Sequence, residues 1–556
     1  MADGRYQTKI ITFGKMTPDS SLYAGADTEV MLRSGCAMYS GQPLLIPTIR
    51  KILAGTTTGA AGFSIKARSN ALSKLYFANS EPKLWEWSPN PLSSTLVDRT
   101  PAATFESVLG NFFKWGGDSG NPFFVYIPET RGTANVAKKF EPGVDSIFVN
   151  LVSSGTEVLG KCVGRVQSHM LIANAWDSVN GYEANRWHWS ARGNCRVWTN
   201  GSNEAGYGYI TGEPEGNEIE EMVTWNDFAV MFTRTGLYRI GYQGGLTKWD
   251  PQQIGQAHQT IFGRPAIKAG RDCYYIGTDG PRMISNGEES LPIGFGRIAR
   301  TLMDRTNYGY SIESLLNGGY DKSIGAVWWV YLGADAQWWV ALYMIESDEF
   351  TVTALGSPST NKWGAVASID EYLAAAKLGS GSLGTTGFFD QTKPLSSLVL
   401  IPSSSETAGG WKLWGQHYDD GAGGISYNTY PAQIKTKIER LSPERSEIIS
   451  VRPLYRTNAA AEGLVLTIDI EYGDHPMLKS TDYGVTTPLT VSTANADEKG
   501  EIRDLLPGAR GFFHRFSINV PAASQALSRS DPLTDYQSLL ELSGIEVVSK
   551  EIGSNA

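Results

Sequence analysis

One short pattern recurs along this chain and limits what it can fold into: a run of β-forming residues, a polar or Gly-containing turn, then an aromatic run. Leu75–Ala78 leads into Leu84–Trp87, and Met170–Ala173 leads, past a polar insert, into Arg186–Trp189. Phe228–Phe232 turns into Leu237–Ile240, and Cys273–Ile276 turns at Asp279-Gly280 into Arg282–Ile284. Trp328–Tyr331 returns as Trp338–Tyr343, and Ser397–Ile401 as Trp411–Trp414. Phe123–Ile127 with Ile147–Val152 is a weaker seventh instance. A hairpin cannot bury its own faces. Radially stacked four-stranded blades can, and they leave only short edges exposed. The spacing therefore predicts an all-β chain with a six- or seven-bladed β-propeller over 46–440; a sandwich pair or a solenoid would give similar hairpins.

The composition agrees with β structure. Aromatic residues make up 11% of the 556 residues and glycines number 61. Aromatic side chains suit a pleated, half-buried surface, and glycine turns hairpin corners without steric cost. Cys36, Cys162, Cys195 and Cys273 stand apart with no CxxC pair, so they read as reduced, buried thiols. The start, MADGRYQTKI, carries no apolar signal segment, and no apolar stretch reaches spanning length. Synthesis in a cytoplasm and no membrane-spanning segment are expected.

Beyond about residue 430 the pattern changes. Ile434–Ile438, Ile449–Leu454, Val465–Tyr472 and Phe512–Val520 read as strands, with Thr481–Arg503 as a polar connector. We expect an additional C-terminal β-domain over 441–556, or strands that close the ring. Residues 1–45 fit the blades poorly and read as an arm or docking segment. Helical spacing is confined to Ile369–Lys377 and Ser538–Leu542.

Catalytic patterns are scarce. His169, His188, His258, His417, His475 and His514 show no metal-ligand spacing and read as surface or strand histidines. There is no P-loop and no nucleophile elbow. Asp419-Asp420, Asp474 and Asp482 read as loop or turn carboxylates. One cluster is singled out: Glu213, Glu215, Glu218, Glu220 and Glu221, within Thr211–Glu221. It is expected to be a loop facing a channel or an interface, or a solvated acidic loop. No enzyme activity, cofactor or metal is expected.

The segment from Glu183 to Ile284 carries a resemblance. Arg186-Trp-His-Trp-Ser190 runs on to Trp198; Glu218–Val223 precedes the Asp227–Ile240 hairpin; Gly263-Arg-Pro-Ala-Ile267 leads to Arg271–Ile284; and Asn361-Lys-Trp363 follows the later hairpin. This order resembles propeller proteins of short-tailed bacteriophage (podovirus) tails, the nozzle or hub proteins such as tail tubular protein B and the packaged-DNA stabilisation proteins, over roughly residues 180–360. The resemblance implies a virion structural protein, a homo-hexameric ring on the tail axis below the portal and adaptor. Its other neighbours would be tailspikes or fibres and a needle or plug, and double-stranded DNA would pass transiently through its channel at genome ejection. The formal charge of −9 suits that use, because phosphates stick where counterions are released against a basic wall. A carbohydrate-binding or glycan-degrading propeller is the alternative, motivated by 16 tryptophans that could stack on sugars.

Overall fold

The structure, a computed structural model, describes residues 6–13, 30–34, 36–39, 42–45, 49–54, 75–78, 83–87, 96–102, 110–116, 123–128, 136–210, 218–233, 235–245, 249–256, 266–277, 279–293, 302, 314–321, 325–332, 338–356, 363–368, 398–402, 409–412, 427–428, 432–457, 465–474, 483–492, 509–520 and 540–552. Four consecutive four-stranded antiparallel sheets run in chain order. They begin with Gly110–Trp115, Val158–Val166, Ile219–Thr224 and Ile267–Ala269. Ser314–Asp321 opens a fifth set of four strands, and Trp363–Ser368 opens another sheet. A three-stranded sheet, Leu75–Ala78 with Leu84–Trp87 and Leu96–Asp98, precedes them all. From Gly110–Trp115 to Trp363–Ser368, the first strand of each sheet packs on the first strand of the next. That succession is a β-propeller, with seven blades among the described residues. In their described residues, six of the hairpins read from the sequence pair within a blade; the seventh needs correction, because Phe123–Pro128 and Val149–Asn150 share the second blade without pairing, with Lys138–Phe140 between them.

The middle strands explain how the blades cohere. Along Phe228–Thr233, Phe228, Val230 and Phe232 enter the core shared with the fifth blade, while Ala229 and Met231 enter the core shared with the third. Phe123, Val125 and Ile127 face the third blade, while Phe124 and Tyr126 face the first. A strand alternates its side chains between two faces, and here both faces are covered by neighbouring sheets. That is why these strands read as unbroken apolar runs, and why neither member of the Trp187/Trp189 or Trp328/Trp329 pairs is exposed. Tyr238 and Tyr275 are buried in the same way, and Asp279 lies in the tip between paired Gly277 and Gly280.

Early strands complete late sheets. Ile49–Ala54 lies antiparallel to Gly409–Lys412, with Leu53 opposite Gly410 and Arg50 opposite Lys412, and so supplies the fourth strand of the seventh blade. Tyr6–Thr12 pairs along Leu540–Glu551, which also carries Ser446–Thr457 on its other edge. Val30–Ser34 joins the sixth blade to Ala432–Thr436, so that sheet continues into Phe513–Val520 and Val465–Gly473. Two sequence expectations need correction. Leu540–Leu542 is strand, not helix: Leu540 is paired with Leu45 and Leu542 with Tyr455, where a five-residue window offers no stable helix. The polar connector after residue 481 contains Tyr483–Val485 and Leu489–Ser492, both paired with Val465–Gly473. Ile369–Lys377 lies outside the described residues.

A cross-strand device recurs in the blades. Trp187 and Trp189 lie opposite Gly208 and Gly206, and Trp328 and Trp329 lie opposite Gly319 and Gly318. The indoles rest on strand surface that only a missing Cβ leaves open: a Cβ at Gly319 would come 2.3 Å from Trp328 Cζ2. Trp328 has no exposed surface into which to move. Gly319→Ala should therefore cost about 1–3 kcal/mol by overpacking. Gly241→Ala, where a Cβ meets nothing within 4 Å, should stay within about 0.5 kcal/mol of wild type. Urea unfolding of the two variants measures the difference.

Candidate functional site on the inner strands

The acidic cluster is divided by the fold. Glu213 and Glu215 lie outside the described residues. Glu218 immediately precedes Ile219–Thr224, the first strand of the fourth blade, and Glu220 and Glu221 are within that strand. Glu220 is therefore no solvated loop residue. It is 2% exposed and paired with the Lys161 ammonium, which comes from the first strand of the third blade. Burial works against the Lys161 charge, but the hydrogen bond and charge of Glu220 outweigh it and leave the lysine pKa raised. Glu221 Oε1 accepts from the Met222 N–H, and Glu218 Oε1 accepts from Asn174 Nδ2 at 3.3 Å.

Around that pair the inner strands are stitched together. The Asn111 amide, on the first strand of the second blade, donates to the Lys161 carbonyl. Cys162 Sγ reaches the Glu220 carbonyl at 3.6 Å, and Asn174 Nδ2 donates to the Ile219 carbonyl at 3.0 Å. Arg165 donates to the Gly116 carbonyl at 3.0 Å and lies over the Trp115 ring. Lys268 of the fifth blade donates to the Thr224 carbonyl at 2.8 Å. Contacts therefore bridge each pair of neighbours from the second blade to the fifth. Their chemistry is positional, because a side chain from one blade meets the backbone or countercharge of the next. Lys161 was the legible signal, a single cation amid apolar and glycine residues in Val158–Cys162, but nothing local identified its partner.

A second polar centre was not singled out in the sequence. Asp177, Arg186 and His188 are buried in the third blade, with Arg186 Nη2 3.1 Å and His188 Nε2 3.2 Å from Asp177 Oδ2. Asp177 also accepts the N–H groups of Val179 at 2.8 Å and Asn180 at 2.7 Å, which caps the turn to Gly181. Burial alone would raise the Asp177 pKa, but these hydrogen bonds and Arg186 bring it below the usual carboxylate value. Arg282 in the fifth blade reaches back in the same way to Asp279 in its hairpin tip, at 2.5 Å, and to Ser290 Oγ at 2.8 Å. Cys162, Cys195 and Cys273 are free and buried, with burial raising each thiol pKa. Asp474 lies beside Arg445 at 3.1 Å. His258, His417, His475, Asp419, Asp420 and Asp482 are outside the described residues. Among the described residues no three metal-ligating side chains converge, and no helix is long and apolar enough to cross a membrane.

No known family profile matches the chain, and no curated protein matches it. Among solved structures, "Structure of U3-55K" aligns with 8% identity and a TM-score of 0.37 over 66% of this chain and 98% of its own. "Structure of YjhT" aligns with 8% identity and a TM-score of 0.34 over 54% of this chain and 99% of its own. Likeness at this level adds nothing to the fold, which rests on the sheets themselves.

The buried histidines set a pH dependence. Burial holds His188 and His514 down to about 4, against 6.5 for a free imidazole. As pH falls below 6.5, an unfolded chain takes up protons that the folded chain refuses until about pH 4, so stability is lost across that window. Each group removes roughly 3 kcal/mol in full. Urea unfolding at stepped pH should show this fall. His514→Gln should reduce its slope by about one proton, and an unchanged slope would contradict the assignment.

Proposed function

We propose that this chain is a structural component of a short phage tail, a nozzle or hub subunit. It surrounds the DNA channel as a homo-hexamer, retains packaged DNA, conducts it at ejection, and anchors tailspikes or fibres. The observation that carries the reading is the sequence resemblance over Glu183–Ile284, whose described residues belong to the third, fourth and fifth blades. A scaffold whose sheets are tied by strands from opposite ends of the chain suits a part that bears load during ejection. The sixfold ring multiplies a formal charge of −9, which disfavours adhesion of phosphates to the assembly. The sugar-binding alternative loses much of its motivation, because Trp187, Trp189, Trp328 and Trp329 are buried and cannot stack on a glycan.

Mixing the purified chain with portal–adaptor complexes and imaging the product by negative stain tests the proposal. The expected result is one axial ring with six copies per particle, whether or not the free chain is monomeric. A single copy per particle, an off-axis position, or no association together with glycan binding would overturn it.

A further inference from the structure

The second blade holds two adjacent lysines in different settings. Lys139 has two carboxylates, Asp145 at 3.2 Å and Glu141 at 3.8 Å. Lys138, on the other face of the strand, is 2% exposed, and its Nζ donates to the side-chain amide oxygen of Asn150 at 2.7 Å. The two residues are direct cross-strand partners: Lys138 on Lys138–Phe140 faces Asn150 on the two-residue outer strand Val149–Asn150. Burial lowers the lysine pKa, which favours the neutral, nucleophilic amine, and the Glu157 carboxylate acts on that amine in the opposite sense.

From this juxtaposition we propose that Lys138 and Asn150 form an intramolecular amide cross-link between the two outer strands of the second blade. The Lys138 Nζ lone pair attacks the Asn150 side-chain carbonyl carbon, forming a C–N bond. The tetrahedral centre then collapses and the original C–NH2 bond breaks. The amine proton passes to the leaving nitrogen, so a lysine ammonium and a primary amide become a secondary amide and ammonium ion. Charge and atoms balance, and no oxidant is consumed. Asn150 is open to water, which carries the proton between the two nitrogens. Two features favour the step: fixed neighbours react at a high effective concentration, and Asn150 is exposed, so ammonia leaves directly to solvent. The cross-link would fix an outer strand that pairs through only two residues.

Intact mass spectrometry of the purified, denatured full chain reads the outcome. The expected mass is about 17 Da below that of the sequence, the loss of one ammonia. A tryptic digest should contain segment 132–139, uncleaved after Lys138, joined to segment 140–161. Lys138→Arg should restore the full mass and separate the two segments. Wild-type protein at the full sequence mass, with the two segments unlinked, overturns the proposal whatever the variants do.

Discussion

Backbone pairing between the two ends of the chain is the constraint on which the rest depends. Ile49–Ala54 completes a sheet whose other strands begin at Trp363, and Tyr6–Thr12 lies along Leu540–Glu551. Such ladders close loops of several hundred residues. Loop entropy grows only slowly with length, so a ladder of several bonds, each contributing about 1 kcal/mol, offsets a closure cost of roughly 5 kcal/mol. Between the chain ends, the second to fifth blades have both faces covered by their neighbours, and apolar side chains alternate between two shared cores. Without the pairing of the ends the seventh blade lacks a strand.

The hairpins were legible because their signal is local. Aromatic and β-branched runs on either side of a polar turn mean strands wherever they sit, and six of the seven instances pair as hairpins within a blade; the seventh failed because the intervening strand Lys138–Phe140 is too short and too basic to read as one. The Trp–Gly pairs are equally local in chemistry but not in sequence. Gly319 reads as a turn or bulge residue until Trp328 is seen across from it. The partners of the early strands left no mark at all. Nothing in Tyr6–Thr12 indicates that its ladder lies more than five hundred residues away.

The candidate site shows the same division. Five glutamates in a short segment read as a loop because charge runs usually seek water. Glu220 departs from that reading because Lys161 waits on the neighbouring blade, and a buried carboxylate is tolerated once it is paired. Asp177, Arg186 and His188 were invisible for a related reason. The centre spans one hairpin and its turn, and the sequence does not show that its three polar groups share one buried face. Period-2 reasoning finds strands well; it does not find which strand covers which.

Amide hydrogen exchange on the full chain tests the closure most directly, because exchange follows the opening of the hydrogen bonds concerned. If Ile49–Ala54 is the fourth strand of the seventh blade, its amides should exchange as slowly as those of Gly409–Lys412, and the two segments should lose protection together as urea is raised. Rapid exchange of Ile49–Ala54 while Gly409–Lys412 and Leu398–Pro402 remain protected would contradict the account.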